Sequence, residues 1–378
     1  MAPRREMTVP VPGIIYVTRM PPSASGVALY AEGFREVLEK VAPTHVLRLP
    51  SNPRESQRPS VLARTVRQAA AACLRHRQNV FVVELAGRGL AEFWTAVLLL
   101  AGRRRVWLTV HDPPTVCGGA FFFLLLDRHG GRRLADVLSR TLGYRAERWA
   151  LSRAERVHCL SRQGADALRA TYQLNRAVRR LPHVAVLRAR RDALRHTVFL
   201  PGHIGGLPDV LPALQALAAV ADTWHLEVGA CDEATADAVL TQAGLLGVRD
   251  RVRLLGLLPE TELQDAFARA AVVVRFKHDG WARPGSPQHA AVSGPLIHAM
   301  AHGCAIITND TRGAAECLEE CCAVRTRSGV DGAADLRKAL TAVLADPSNM
   351  GERGRRAREH ATAEHSPDGL ARQLLEDR

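Results

Sequence analysis

Short β-rich runs alternate along this chain with longer stretches of helical periodicity, and several of the short runs are apolar at every position. A strand that alternates apolar and polar residues has one wet face. A strand that is apolar throughout needs cover on both faces, the condition met in parallel sheets whose strands are joined by helical crossovers. In the first half, strands are expected at Ile14–Thr18, His45–Leu49, Val80–Glu84, Val106–Val110 and Val157–Leu160, with helices over Val27–Val41 and Leu90–Ala101. A basic, proline-containing stretch from Arg176 to His196 interrupts the pattern. The alternation restarts at Val198–Leu200, His225–Val228, Val252–Leu255, Ala271–Arg275 and Ala305–Thr308, with a weaker strand at Ala323–Arg325. The 378 residues suffice for two separate cores. The expected organisation is an α/β domain over residues 1–190, a second over 191–350, and a charged helical segment over 351–378.

Composition narrows the function classes. No apolar run approaches the roughly 18 residues of a membrane-spanning helix, and the charged N-terminus is not followed by an apolar signal core, so a cytoplasmic protein is expected. The eight cysteines form no C-x-x-C pair, and no matching ligand pair completes a metal site, so reduced thiols and no bound metal are expected. The formal net charge is +13, and all but three of the 51 basic residues are arginines. They are dispersed, without a helix-turn-helix, RRM or zinc-finger signature, which argues against nucleic-acid binding. Attraction to phosphorylated substrates, or peripheral contact with an anionic membrane surface, fits this charge better.

In open α/β sheets ligands bind beyond the carboxyl ends of the strands. After the first strand, the small-residue loop from Met20 to Ala28 runs into a helix. Ser25 is a candidate cap there and Gly26 permits close approach of a ligand to the backbone. The loop lacks the G-x-G-x-x-G of nicotinamide-binding folds. The strand Val106–Val110 ends directly in His111 and Asp112, placing a titratable ring at the ligand edge. In the second half, Ser293 precedes a helix with Pro295 in its first turn and Gly303 at its end. The preceding loop carries Arg275, Lys277, His278, Arg283 and His289. A helix N-terminus beside cationic side chains suits a diphosphate.

These segments resemble the retaining GT-B glycosyltransferases of family 4. Val252 to Leu263 matches that family's strand–glycine–helix run, and Pro295-Leu-Ile-His298-Ala-Met-Ala-His-Gly303-Cys-Ala-Ile-Ile-Thr308 matches its "P-x-x-E-A-M-A-x-G-x-P-V" run. Arg312 to Glu316 is similar to its "G-G-x-x-E". Pro21 to Ala28, Val110-His111-Asp112 and Val157 to Ser161 resemble its N-domain motifs. The resemblance implies a GT-B fold, two Rossmann-like domains whose parallel sheets face a central cleft. It also implies transfer of a hexosyl-type group from a nucleotide-diphosphate sugar with retention, without metal or cofactor, the nucleotide sugar being a substrate. The acceptor, a small molecule, lipid or glycan, is expected on the N-terminal side with Ser25, Gly26 and Asp112, and His111 is the candidate catalytic residue. Donor-binding candidates are Gly202, His203, Gly206, Arg275, Lys277, Arg283, Gly294, Pro295, Leu296 and His298. The last helix crosses back onto the N-terminal domain in that family.

The sequence also departs from the pattern. The family's E-x7-E pair falls on Ala290 and His298, and the Arg and Lys that grip the diphosphate fall on His203 and Gly206. His289 is a candidate substitute for the first glutamate, and Arg275, Lys277 and Arg283 are candidate replacements for the missing cations. The departures keep a second class of function in view, a non-catalytic GT-B protein that partners another transferase. A sugar-nucleotide epimerase ranks behind both, because no array of carboxylates accompanies the motifs.

Overall fold

The structure is a computed structural model that describes residues 12–20, 26–49, 58–86, 90–116, 137, 139–185, 187, 196–279, 291–309, 316, 318 and 322–376. Its first half holds a six-stranded parallel sheet in the order β2-β1-β3-β4-β5-β6. The strands are β1 (Ile14–Thr18), β2 (Thr44–Arg48), β3 (Val80–Leu85), β4 (Arg105–Val110), β5 (Arg156–Cys159) and β6 (Arg179–Arg180). Helices α1 (Gly26–Val41), α2 (Pro59–Arg75), α3 (Leu90–Ala101), α4 (Tyr144–Arg153) and α5 (Arg162–Tyr172) lie between them.

The second half repeats the plan in the order β12-β11-β10-β7-β8-β9, again fully parallel in every pairing. Its strands are β7 (Thr197–Leu200), β8 (His225–Val228), β9 (Val252–Leu254), β10 (Val272–Arg275), β11 (Ala305–Thr308) and β12 (Ala323–Arg325). Its helices are α6 (Leu207–Ala218), α7 (Glu233–Leu245), α8 (Glu260–Arg269), α9 (Gly294–Ala301) and α10 (Gly329–Ala345). Two further helices, α11 (Pro347–His365) and α12 (Pro367–Glu376), end the described chain.

Each expected strand is present to within a residue at either end. The inner strands β1, β3 and β11 are buried along their whole length, whereas the edge strands β2, β9 and β12 are partly exposed. Apolar clusters cover both faces of each sheet, which is why the inner strands carry no polar alternation. Strand β6 is an addition to the expected set. Its two arginines carry no apolar signal, and it joins the sheet through backbone pairing with His158 and Cys159.

The C-terminal helices tie the halves together. Helix α11 packs on α9, and α12 packs on α1, where Leu370, Ala371 and Leu374 enter the cluster of Tyr16, Tyr30 and Phe34. The connection between halves is pinned at the same place. Ala185 N donates to His365 O at 2.9 Å, His365 Nδ1 lies 2.6 Å from His183 O, and Arg180 pairs with Glu364 at 3.0 Å. Among the described residues no helix is long and apolar enough to cross a membrane.

Candidate functional site

The strand order of the second sheet reverses direction between β7 and β10, so the loops after these strands diverge and leave a crevice at their carboxyl ends. The β7 loop contributes Gly202, His203, Gly205 and Gly206, and the β10 loop contributes Lys277 and His278. Gly202 has φ +83°, a conformation that favours glycine, and a β-carbon there would lie 3.1 Å from Arg275 Nη1, so the loop passes close under that guanidinium. Arg275 Nη1 donates to Pro201 O at 3.1 Å.

One buried carboxylate sews the two loops together. Asp209, in the first turn of α6, accepts from Gly205 N (3.0 Å) and Lys277 Nζ (2.7 Å) through Oδ2, and from His278 N (2.8 Å) through Oδ1. Lys277 Nζ also donates to His203 O at 2.9 Å. The ammonium therefore reaches from β10 into the loop where the sequence supplies only His203 and Gly206. Among the described residues these two acceptors engage two of its three N–H donors. Asn309, just beyond β11, fixes the backbone of Lys277 from both sides, accepting from its N–H at 3.1 Å and donating to its carbonyl at 2.7 Å.

Helix α9 opens onto the same edge. Ser293 occupies its N-cap position, yet its hydroxyl makes no capping bond and is buried without a hydrogen-bond partner among the described residues. Pro295 lies in the first turn, and Leu296 is fully buried in the core beneath. His298 is buried on the inner side, with Nδ1 3.3 Å from Gln264 Nε2 and its ring 5.8 Å from that of Phe267. The Gln264 side-chain oxygen lies 2.8 Å from His302 Nε2, so one amide bridges two histidines a helical turn apart. Ser25, Arg283, His289 and Ala290 lie outside the described residues.

The first sheet has its own reversal, between β1 and β3. Gly26 is the first residue of α1, beyond β1. His111 directly follows β4, and its Nε2 lies 2.7 Å from Glu84 Oε2 on β3. Both side chains are buried, Glu84 completely. Asp112 is half-buried beside it. Arg19, directly after β1, forms a buried ion pair of 2.5 Å with Glu92 on α3. Burial pushes the Glu92 carboxyl up, and the Arg19 charge pulls it back. Burial, and after it the charge of Glu84, raises the phenols of Tyr16 and Tyr30 well above their usual range, so both remain protonated.

Aromatic rings connect the two edges. The Tyr30 ring packs edge-on against His111 at 4.7 Å and against His183 at 5.0 Å. His183 Nδ1 lies 2.7 Å from Val184 O, so Nδ1 carries the hydrogen and Nε2 is an acceptor. That Nε2 lies 3.2 Å from where a β-carbon of Gly294 would stand. Burial, and next the neighbouring His298, holds His183 well below the usual imidazole range, so the ring is neutral. Two rings thus separate His111 from the N-terminus of α9. A second link comes from Glu316, whose carboxylate oxygens accept from Arg162 N (2.7 Å) and Gln163 N (2.5 Å) at the start of α5.

Of the sequence candidates, Gly202, His203, Arg275 and Lys277 come together at the second sheet's crevice, with Gly206 as the N-cap of α6. Glu84, Arg19, Glu92, Asp209 and His183 were not among those candidates. A carboxylate closing an otherwise apolar strand was the available signal for Glu84. For Asp209 it was an acidic residue in the first turn after a glycine-rich loop.

Comparison with known proteins agrees with this architecture. Residues 229–376 match the family described as glycosyl transferase-like. No curated protein sequence matches the chain. In structure the chain is similar to HepE of Anabaena in complex with UDP and glucose, at 13% identity and a TM-score of 0.61 over 97% of this chain and 99% of that one. It is also similar to sucrose-phosphate synthase of Thermosynechococcus elongatus, at 15% identity and a TM-score of 0.66 over 97% and 98%. A glycosyltransferase of Rickettsia africae gives 11% identity and a TM-score of 0.63 over 97% of both chains. At these identities the likeness establishes the fold, which is GT-B.

Proposed function

We propose that this chain transfers a sugar, of hexosyl type, from a nucleotide-diphosphate sugar to an acceptor, with retention of configuration and without a metal or cofactor. The observation that carries the reading is the pairing of edges. A basic crevice at the carboxyl ends of β7 and β10, with the N-terminus of α9, lies two aromatic rings from His111 at the carboxyl end of β4. The matched family over residues 229–376 and the complexes of HepE with UDP support a nucleotide-sugar donor on the second sheet.

The chemical task is to stabilise a departing diphosphate. The Lys277 ammonium, the guanidinium of Arg275, the N–H of Gly294 at the start of α9 and the Ser293 hydroxyl, buried without a partner among the described residues, form a donor set for that charge. His111, on the opposite edge, is the catalytic residue of this reading. The acceptor is bound on the N-terminal side, and the basic surface makes peripheral contact with anionic membrane, in a cytoplasmic setting.

Calorimetric titration with UDP-, GDP- and dTDP-linked sugars, followed by a donor-hydrolysis assay with and without EDTA, tests the reading. Saturable binding and EDTA-resistant turnover are expected. Absence of binding at millimolar ligand would sink it. His111→Ala should abolish transfer and spare donor binding; unchanged turnover would remove His111 from its role. One observation favours the alternative of a non-catalytic partner protein. The Lys277 ammonium is already matched by Asp209, so the crevice offers a diphosphate less net charge than two unpaired cations. That alternative gives binding without hydrolysis or transfer.

A further inference from the structure

We propose that Glu84 is a positioning residue for His111, holding its imidazole in the Nε2–H tautomer and leaving Nδ1 as the nitrogen that meets the reacting groups. The inference rests on the reading of His111 as the catalytic residue and adds how the fold prepares it. The contact is 2.7 Å between Glu84 Oε2 and His111 Nε2, with the carboxylate wholly inaccessible to solvent. A carboxylate only accepts hydrogen bonds, so the nitrogen facing it carries the hydrogen. The second ring nitrogen is then an acceptor in the neutral ring, and its direction is fixed by the first bond.

Packing gives no reason for an acid at this position. Strand β3 is Val-Phe-Val-Val-Glu-Leu, buried at every residue, and a leucine at position 84 would extend the same pattern. Burying a carboxylate costs free energy unless it is well paired. The phenols of Tyr16 and Tyr30 feel the Glu84 charge, and Tyr16 also meets the carboxylate through its hydroxyl, so the acid is held among groups that do not neutralise it. The ring of His111 is clamped as well as oriented, since Tyr30 packs edge-on against it at 4.7 Å and its own backbone N–H donates to Leu85 O at 2.9 Å. Adjacent parallel strands deliver the two side chains: β3 and β4 pair Glu84 with Thr109 and Leu85 with Val110, so His111 emerges one step beyond the register.

The test reads the ring directly. Nitrogen-15 NMR of the full-length protein with labelled histidine, the His111 signal being assigned by its loss in His111→Ala, should show the Nε2–H tautomer in the wild type. A wild-type Nδ1–H tautomer overturns the proposal without any variant. Glu84→Leu should abolish the tautomer preference, and Glu84→Gln, which preserves volume if the leucine variant fails to fold, should reduce kcat by about 10²-fold or more. Donor affinity by calorimetry should stay within about twofold in Glu84→Gln, and Glu84→Asp should restore part of kcat. Unchanged kcat in Glu84→Gln would reduce Glu84 to a structural acid. Failure of the wild type to bind any nucleotide sugar would strike the proposed function instead, leaving the tautomer measurement standing on its own.

Discussion

The carboxyl edges of the two sheets occupy equivalent places in two similar domains, yet they are furnished in opposite ways. On the first sheet the charged groups are withdrawn from solvent in side-chain pairs, Arg19 with Glu92 and Glu84 with His111. On the second sheet the Lys277–Asp209 pair is partly open to solvent and bonded to the backbone of both loops. The first arrangement holds rings and carboxyls in fixed orientations at a high desolvation cost. The second uses its carboxylate to fix loop geometry and leaves the Lys277 ammonium partly open to solvent. Topology determines where a ligand can sit, and the local partners determine whether that place is suited to orienting a ring or to receiving an anion.

The largest effect expected from this difference lies in the buried pair of the first sheet. Arg19→Leu leaves Glu92 unpaired in a fully buried setting, and breaking such a pair from one side costs about 3–5 kcal/mol. Urea denaturation should show that loss, and the double variant Arg19→Leu/Glu92→Leu should recover most of it. A single variant as stable as the wild type would mean that the first edge is no more desolvated than the second.

The next effect is the joint between the halves. Burial pushes His365 down to about 4, against roughly 6.5 for an exposed imidazole. The folded protein keeps this ring neutral while the unfolded chain takes up the proton. Stability from His365 is therefore complete above pH 6.5 and lost as pH falls from 6.5 towards 4, about 3 kcal/mol across the window. His183, whose carbonyl oxygen lies beside His365 Nδ1, is depressed in the same direction and adds to the loss. Urea midpoints at pH 7 and pH 5 measure it. His365→Asn, whose amide can still donate to His183 O, should flatten the pH dependence; an equal slope would assign it to other groups.

How far the sequence disclosed each edge follows from the kind of signal involved. The strands were legible because burial on both faces writes an uninterrupted apolar run, as in Ile14–Thr18 and Ala305–Thr308. Strand β6 was not, because two arginines paired through their backbone leave no side-chain pattern. Arg275, Lys277 and the glycine loop stood out because they are charged or conformationally special and adjacent to strand ends. Their mutual geometry did not, since Lys277 reaches His203 across a sequence separation of 74 residues. His183 lay within a stretch that read only as basic and irregular; its contact with Tyr30 is made within the first half, and its approach to Gly294 arises from the docking of the two halves.

A smaller effect is expected at the second edge. Lys277→Ala removes one donor and leaves Asp209 beside the diphosphate without its ammonium. Charge-assisted bonds are worth about 1.5–3 kcal/mol, so UDP affinity by calorimetry should fall by roughly 10–100-fold. Arg275→Ala should weaken binding in the same direction. Equal affinity in both variants would place the anion elsewhere, and the contrast between the edges would lose its functional meaning.

The smallest expected effect tests whether the edges act together. Gly294→Ala would normally help slightly, since alanine restricts the unfolded chain by about 0.4–1 kcal/mol relative to glycine where the backbone permits it. Here the new methyl would stand 3.2 Å from His183 Nε2, tighter than ordinary contact. His183 has little room to give, because Nδ1 is bonded to Val184 O and the ring is packed by Tyr30. The strain should therefore fall on the α9 N-terminus or on the approach of the two halves. UDP affinity should drop a few-fold while the urea midpoint moves little. In Gly294→Ala/His183→Ala, the space vacated by the imidazole should restore affinity. Restoration would show that a ring held by the first half sets the position of the helix that receives the anion in the second, and its absence would leave the two edges as independent sites that merely face each other.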